Sequence, residues 1–278
     1  MLRSMKDLEN CAIRATDGMI GNVKDFCFDD GTWVVRYLVV ESGSWLSSRR
    51  VLISPIAVAA SDWSGRVLSV SITKEQVKSS PDIDTDKPVS RQQEMGFLGY
   101  YSYPYYWGGE SLWGDGLYPG LMLSGQGDGG MPSVRREAHV QSTRGDFEAD
   151  RSMHQHGDPR LRSSNAVIQY YVHASDGDIG HVQDLLVDES SWAIRYIIVN
   201  TSNWWMGHQV IIAPEWIDDV NWLDSKVSVD LTRQAVKDSP QYDASKALIR
   251  EREVETYAHY GRDGYWRREA KHDEVAFR

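Results

Sequence analysis

The sequence predicts a mainly β protein that contains two copies of one small barrel. Three observations support this fold class: an internal repeat, short runs of β-branched and aromatic residues, and turn-forming residues between those runs. A chain of 278 residues is long enough for two such domains, each with its own core. The hydrophobic fraction of 41% and the charged fraction of 25% are typical of globular proteins.

The repeat has a constant offset along the chain. Asp17-Gly18 recurs as Asp176-Gly177, and the same offset continues to Tyr106-Trp107 and Tyr265-Trp266 without a gap. About a third of the aligned positions are identical. Even the segment Leu-Arg-Ser at residues 2–4 recurs at residues 161–163. Because every loop has kept its length, we expect each copy to be a complete folding unit.

The repeat gives predicted domain boundaries. Residues 1–107 are the first copy with a C-terminal extension, and residues 164–278 are the second copy with its extension and tail. Residues 108–163 between them are rich in glycine and then in polar residues. Such a segment has too few large apolar side chains to offset the entropy of ordering, so we predict a flexible linker.

Each copy has a pattern of six short strands. In the first copy, Asp17-Gly18 predicts a tight hairpin, and the run W-V-V-R-Y-L-V-V-E-S from Trp33 predicts a central strand. Further strands are predicted over 50–55, 56–62 and 66–72. Thr73 then has the character of a helix N-cap, with a short helix ending before the next proline. Six strands with tight turns over such a length predict a small closed or nearly closed barrel, followed by an aromatic-rich extension.

The combined motifs resemble the PRC-barrel family, named after the photosynthetic reaction centre. The shared elements are D-G-x-I-G, V-x-D, an R-Y strand, a V-x-I-x-P strand and an S-P ending, found at Asp17–Gly21, Val23–Asp25, Arg36–Val40, Val51–Pro55 and Ser80-Pro81 and at the same offset in the second copy. The resemblance implies six-stranded barrels that act as binding or assembly modules. Family members occur in the reaction-centre H subunit and in a ribosome maturation factor, and tandem bacterial versions are associated with stress or sporulation.

A search for chemistry predicts no catalytic residue, no cofactor and no metal site. The sequence lacks the phosphate-loop, nucleophile-elbow and zinc-protease motifs. The glycine-rich residues 125–130 have no strand before them and no helix after them, so we interpret them as linker. His154, His156 and Asp158 have metal-ligand chemistry but lie in the polar segment, which favours solvated side chains. Asp25 and Arg36, which recur in the second copy, are predicted to form a cross-strand ion pair.

Aromatic residues of the two extensions are the candidate interaction surface. They are Tyr101, Tyr105, Tyr106, Trp107, Tyr260, Tyr265 and Trp266. One interpretation is that each extension wraps its own barrel or the other copy and completes a core. The other is an exposed binding surface, since tyrosine and tryptophan offer large rigid contact areas.

These observations together predict a non-enzymatic, cytoplasmic protein that binds protein partners or scaffolds them, with a stress-related role from the resemblance. A homo-oligomer is a further expectation. The formal charge of −10 argues against a nucleic-acid partner, and no apolar run is long enough for membrane insertion. Two alternatives stay open: a peripheral component of a photosynthetic or other membrane electron-transfer complex, and a small-molecule binder or enzyme with a site between the barrels.

Overall fold

The structure is a computed structural model. It describes residues 1–46, 48–82, 89–107, 109, 111–114, 116–124, 160–201 and 208–276. The chain divides into two compact units. The first-copy unit contains Glu9–Ser163 with Ser190–Trp192, and the second-copy unit contains Met1–Leu8 with Ser164–Glu189 and Ala193–Arg278.

The first-copy unit is built on a mixed sheet. Its strands are β2 (Ala12–Ala15), β3 (Gly18–Asp29), β4 (Val34–Ser42), β5 (Arg50–Ile53), β6 (Val58–Asp62), β7 (Val67–Val70) and β8 (Leu161–Ser163). The last of these, β8, comes from the end of the predicted linker. They follow the order β5-β4-β3-β2-β7-β6, and β8 pairs with the C-terminal part of β3. Only the β2–β7 pair is parallel among these ladders.

The second-copy unit repeats this sheet. Its strands are β1 (Leu2–Ser4), β9 (Tyr171–Ala174), β10 (Gly177–Asp188), β11 (Ile194–Asn200), β12 (Gln209–Ile212), β13 (Ile217–Asn221) and β14 (Lys226–Val229). The order is β12-β11-β10-β9-β14-β13, and β1 pairs with β10 as β8 pairs with β3. Each sheet therefore contains one three-residue strand from a distant part of the sequence. β1, at the start of the first copy, joins the second-copy sheet, and β8, directly before the second copy, joins the first-copy sheet.

Short helices accompany the strands. They are α1 (Met5–Leu8), α2 (Lys74–Lys78), α3 (Arg91–Tyr101), α4 (Leu121–Ser124), α5 (Ser164–Val167), α6 (Arg233–Lys237), α7 (Arg250–His259) and α8 (Tyr265–Ala276). Thr73 caps α2 with a capping box in which its hydroxyl accepts from the Gln76 amide while the Gln76 side chain accepts from the Thr73 amide. Within the described ranges, no helix is long and apolar enough to cross a lipid bilayer.

The repeated D-G-x-I-G motif has a local physical cause. Gly18 ends the β2–β3 hairpin with a φ of +140°, a conformation that side chains disfavour. At Gly21, a Cβ atom would lie 1.9 Å from the Glu41 carbonyl oxygen on β4, so only glycine allows the strands to approach. Asp17 accepts a hydrogen bond from the Lys74 amide at 2.8 Å and ties the hairpin to the start of α2.

The predicted fold class is confirmed at the level of a mainly β protein with few, short helices. The six strands predicted for the first copy are present as β2 to β7, and Thr73 is the predicted helix cap. Closure of the barrels is not observed: within the described residues, no ladder joins the two ends of either sheet. Each sheet also has seven strands rather than six, because a three-residue strand is added to β3 and to β10.

The two compact units group some residues across the predicted boundaries, which stay a prediction. Residues 1–8 belong to the unit of the second copy, because β1 pairs with β10 and because Met5 and Leu8 are buried. The predicted linker 108–163 begins with residues that fold into the first-copy unit, where Trp113 is 1% exposed, and it ends in β8. Residues 125–159 lie outside the described residues, together with the glycine-rich run, His154, His156 and Asp158.

Candidate functional site

The aromatic candidates all lie within the described residues, and each packs on its own unit. Tyr106 and Tyr265 are buried, and the other five are half-buried. Tyr101 contacts Phe97 of α3 with ring centroids 4.9 Å apart, and Tyr260 contacts Trp216 at 4.8 Å. The buried pair therefore contributes to a core and not to an exposed surface. This arrangement is the one expected if each extension wraps its own barrel.

The first-copy extension closes over a buried carboxylate. Glu94 on α3 is only 2% exposed. The Tyr106 hydroxyl donates to it through a very short hydrogen bond, and the Tyr37 hydroxyl on β4 donates to the same oxygen at 3.3 Å. The Arg91 guanidinium forms an ion pair with its other oxygen at 3.0 Å. A strand, a helix and the extension thus meet at one carboxylate, which we name the Glu94 cluster.

The second copy contains an equivalent Glu253 cluster. Glu253 on α7 is 3% exposed and accepts from the Tyr265 hydroxyl at 3.0 Å and from the Tyr196 hydroxyl at 3.3 Å. Arg250 forms an ion pair with it at 2.5 Å. All four residues stand at the repeat offset from their counterparts. The duplication has therefore preserved a complete buried polar network, as expected when breaking one member would leave the others unpaired.

Burial dominates the proton equilibria of both clusters. Burial raises the pKa of Glu94 to about 7, although the Arg91 cation and the Tyr106 hydroxyl oppose the shift. Burial likewise raises the pKa of Glu253 above its usual range, against the same two kinds of partner. The pKa of Tyr106 is raised well above its ordinary value by burial and by the neighbouring carboxylate. The carboxyl group of each cluster can therefore hold a proton, and its hydrogen bonds connect the extension to the sheet.

A second arginine of each copy packs on the aromatic rings. The Arg36 guanidinium lies 3.9 Å from the centroid of Tyr106 and 4.7 Å from that of Trp113, and it donates to the Leu112 carbonyl at 2.7 Å. Arg195 lies 4.0 Å from the centroid of Tyr265. Such cation–π contacts favour a guanidinium over a point-like ammonium.

A different repeated site lies on the outer part of β3, where it receives the strand β8. Cys27, Phe28 and Asp29 are opposite Ser163, Arg162 and Leu161 in an antiparallel ladder. The Ser163 hydroxyl donates to the Asp25 carboxylate at 2.5 Å, and the Arg162 guanidinium pairs with Asp30 at 3.1 Å. The ladder is thus reinforced by two side-chain contacts to carboxylates. We name Asp25 and Asp30 with this part of β3 the β3 site.

The equivalent β10 site receives β1 with the same chemistry. The Ser4 hydroxyl donates to Asp184 at 2.5 Å, and the Arg3 guanidinium pairs with Glu189 at 2.7 Å. Asp184 and Glu189 stand at the repeat offset from Asp25 and Asp30. Burial raises the pKa of Asp184, and the Ser4 hydroxyl acts in the opposite direction. The same Leu-Arg-Ser sequence therefore occupies both sites by the same three kinds of interaction.

The predicted Asp25–Arg36 ion pair is wrong. Asp25 is opposite Val39 in the β3–β4 ladder, and its carboxylate binds Ser163. Arg36 instead reaches Leu112 and the aromatic rings of the extension. Asp29 is opposite Val34, so the turn is longer than one centred on Asp30-Gly31, and a register shift between Cys27 and Phe28 adds one more residue; together they move Asp25 away from the position opposite Arg36.

Comparison with known families identifies part of the chain. Residues 3–77 match the family described as PRC-barrel domain. This segment is a PRC-barrel domain. The match confirms the resemblance for the first copy, and it begins within β1, the strand that the structure places in the second-copy unit.

One relative resembles the chain over a similar length. It is a protein of Deinococcus radiodurans described as uncharacterized, 37% identical over 73 residues. The aligned stretch covers 26% of this chain and 26% of the relative. The aligned stretch is about as long as the segment that matches the PRC-barrel family.

Sequence reasoning missed the β3 and β10 sites. The signal was present, because Leu2-Arg3-Ser4 recurs at residues 161–163 just where a structureless linker is predicted to end. The serine and the arginine of this recurring segment also have chemical partners that recur, namely the two acidic positions at Asp25 and Asp30 in the first copy. Read together, the recurrence of both sets would have indicated a strand and its receiving site.

Proposed function

We propose that the chain is a non-enzymatic binding and scaffolding protein, built from two PRC-type barrels and acting through strand addition. The second copy is the second PRC-type barrel in this proposal. Strand addition combines backbone hydrogen bonds, which give affinity, with side-chain contacts, which give specificity. The observation that carries the proposal is the repeated site on β3 and β10, each occupied by a Leu-Arg-Ser strand.

The buried clusters support a structural rather than a catalytic use of the ionisable residues. Glu94 and Glu253 are 2% and 3% exposed, and each is already engaged by two tyrosine hydroxyls and an arginine. A carboxylate held in this way fixes the extension on the sheet. We infer that the clusters keep the β3 and β10 strands rigid while a partner strand is added.

A cytoplasmic location is part of the proposal. The two cysteines of the chain, Cys11 and Cys27, are buried and are not joined in a disulfide, which is compatible with a reducing compartment. Burial strongly raises the pKa of the Cys27 thiol, so this thiol resists ionisation and oxidation.

A peptide-binding experiment tests the proposed function. The protein is prepared without residues 1–8, and a peptide of residues 1–8 is titrated into it by calorimetry. We expect saturable binding, with the affinity lowered about tenfold or more by Ser4→Ala in the peptide, since one hydrogen bond to a charged group contributes about 1.5–3 kcal/mol. Asp184→Asn in the protein is the matched change on the receiving side.

The proposal is contradicted if the peptide does not bind or if the Ser4→Ala peptide binds equally well. The circular-dichroism spectrum of the shortened protein serves as the folding control. When the same peptide is titrated into the full-length protein, we expect weaker binding than to the shortened protein, because β1 already occupies the β10 site.

A further inference from the structure

The two receiving sites hold their strands by the same serine and arginine contacts. The strand β1 and the strand β8 have the same sequence, Leu-Arg-Ser. Each places its serine on the carboxylate of the V-x-D motif and its arginine on the first acidic residue after the strand, Glu189 or Asp30. Nothing in these contacts distinguishes one receiving site from the other, or the site of one molecule from that of a second molecule.

Met1, just before β1, accepts a hydrogen bond from the Glu189 amide at 3.0 Å and places its amino group 3.5 Å from the Glu189 carboxylate, but the strand β1 itself is short. It contributes three residues to the ladder with β10, and Leu2, Arg3 and Ser4 are all only half-buried. The apolar anchors follow in α1, where Met5 and Leu8 are 3% and 2% exposed. Short segments of this kind open at a free energy well below that of global unfolding. The β10 site can therefore exchange its occupant without unfolding of the sheet.

We infer that the β10 site also accepts residues 2–8 of a second copy of this chain, which gives a strand-exchanged dimer. This inference rests on the proposed function and names its partner. In the exchanged dimer every contact of β1 is retained, because the donor is chemically identical. The balance between the two arrangements depends on the protein concentration relative to the effective concentration of the chain's own β1.

Charge gives the exchange a defined salt dependence. The chain has a formal charge of −10, so two copies repel each other at low ionic strength. The Arg3–Glu189 contact is short and partly buried, and it is therefore screened less than the repulsion between the two surfaces. Dimer formation is expected to increase as the salt concentration rises to a few tenths molar.

A disulfide trap with two separate full-length variants tests the inference. Leu2 and Asp188 are directly opposite in the β1–β10 ladder. Opposite residues in an antiparallel pair have the Cα separation that a disulfide requires. One preparation carries Leu2→Cys and the other Asp188→Cys; the two are mixed, incubated at high concentration under mild oxidation and separated on a non-reducing gel. Disulfide dimer of twice the 31.6 kDa chain mass, in excess of the amount that either variant forms alone, reports β1 of one chain in the β10 site of another.

Two controls make each outcome decisive. Leu2→Cys mixed with Leu223→Cys pairs the same donor with a thiol at a 97% exposed position away from the ladder, and we expect about tenfold less mixed dimer from this pair. A single chain with both Leu2→Cys and Asp188→Cys should crosslink internally when dilute, which verifies that the geometry permits the bond. Equal dimer in the two mixtures, or no mixed dimer despite internal crosslinking, would overturn the inference. Failure of internal crosslinking would overturn it too, since β1 would not occupy the β10 site.

The outcome is separable from that of the peptide titration. If the peptide of residues 1–8 binds and the trap yields no mixed dimer, strand addition stands as the function and exchange between copies does not. If neither occurs, both proposals fail.

Discussion

The two copies preserve the same buried carboxylate but close over it differently. In the first copy, Arg36 lies between the rings of Tyr106 and Trp113 and donates to a backbone carbonyl. In the second copy, Arg195 packs on Tyr265 and pairs with the carboxylates of Glu269 and Asp188. Trp113 and Glu269 come from segments outside the repeat, after residue 107 and after residue 266. The comparison shows that the polar network and the tyrosine–arginine contact are common to both copies, whereas the added partner of the arginine is an aromatic ring in the first copy and a carboxylate in the second.

The largest expected effect is on the aromatic closure. Trp113 is 1% exposed, stacks on Arg36 and donates its indole N–H to the Ser191 carbonyl at 2.7 Å. Trp113→Ala is expected to lower the free energy of unfolding of the first-copy unit by about 3–5 kcal/mol. Hydrogen exchange resolved by peptides gives the measurement. Protection should fall in β3 and β4 and stay unchanged in β10 and β11; equal losses in both units would contradict the account.

The next effect is the pH dependence of stability that the buried carboxylates of the two clusters impose. Glu94 has a folded-state pKa of about 7, above the value of 4.5 expected for the unfolded chain. The folded state therefore holds a proton that the unfolded state has released, so this contribution to stability is present below pH 4.5 and is lost as the pH rises through 7. The full difference is on the order of 3 kcal/mol.

Glu94→Gln is the matched variant for the pH prediction, because it keeps the shape of the side chain and removes the titration. Unfolding in denaturant is measured between pH 5 and pH 8, with amide exchange in β4 as the readout. The free energy of unfolding should fall with rising pH in the original chain and stay constant in the variant. The raised pKa of Glu253 predicts the same sign in β11 for Glu253→Gln. A stability of β4 that rises over this pH range in the original chain would refute the assignment.

A smaller pair of effects separates the receiving sites. Ser4→Ala removes the hydroxyl that binds Asp184, and Ser163→Ala removes the one that binds Asp25. Each change should destabilise its sheet by about 1–3 kcal/mol, since it leaves a partly buried carboxylate without this donor. Ser4→Ala is expected to increase exchange in β10, and Ser163→Ala in β3. The reverse assignment would mean that each Leu-Arg-Ser strand pairs within its own copy.

The smallest expected difference concerns the arginines of the two clusters. Arg91 is 25% exposed and Arg250 is 50% exposed, and each also hydrogen-bonds to the tyrosine of its cluster, Tyr106 or Tyr265. Exposed ion pairs contribute little, so Arg250→Ala should cost about 1 kcal/mol or less and Arg91→Ala about twice as much. Thermal unfolding of the two single variants compares them directly. An equal or larger cost for Arg250→Ala would show that exposure does not govern the difference.

Local chemistry made most of the fold predictable. Asp17-Gly18 specifies a hairpin because of the positive φ at the glycine, and Thr73 specifies a helix start because its hydroxyl accepts a backbone amide. The strand β1 was not predicted, because three residues have no measurable periodicity and their partner strand lies in the other copy. The partner of Arg36 was also missed, since a longer turn before β4 and a bulge in β3 change the register and the sequence contains no local signal for them.

The aromatic candidates illustrate the same division. The recurrence of Tyr106 and Tyr265 indicates that they matter, but their composition alone is compatible with a core or with an exposed surface. The deciding partner is Glu94 or Glu253, more than ten residues earlier on a separate helix. Its own recurrence was visible in the repeat, but a glutamate in a polar stretch gives no sign that it is buried.

Hydrogen exchange of the chain that lacks residues 1–4 tests the central structural claim most directly. If β1 completes the sheet of the second copy, exchange should accelerate at the C-terminal part of β10, around Leu186–Asp188, and remain unchanged at Cys27–Asp29 of β3. Acceleration at Cys27–Asp29 with β10 unaffected would show that the strand belongs to its own copy and would contradict the account.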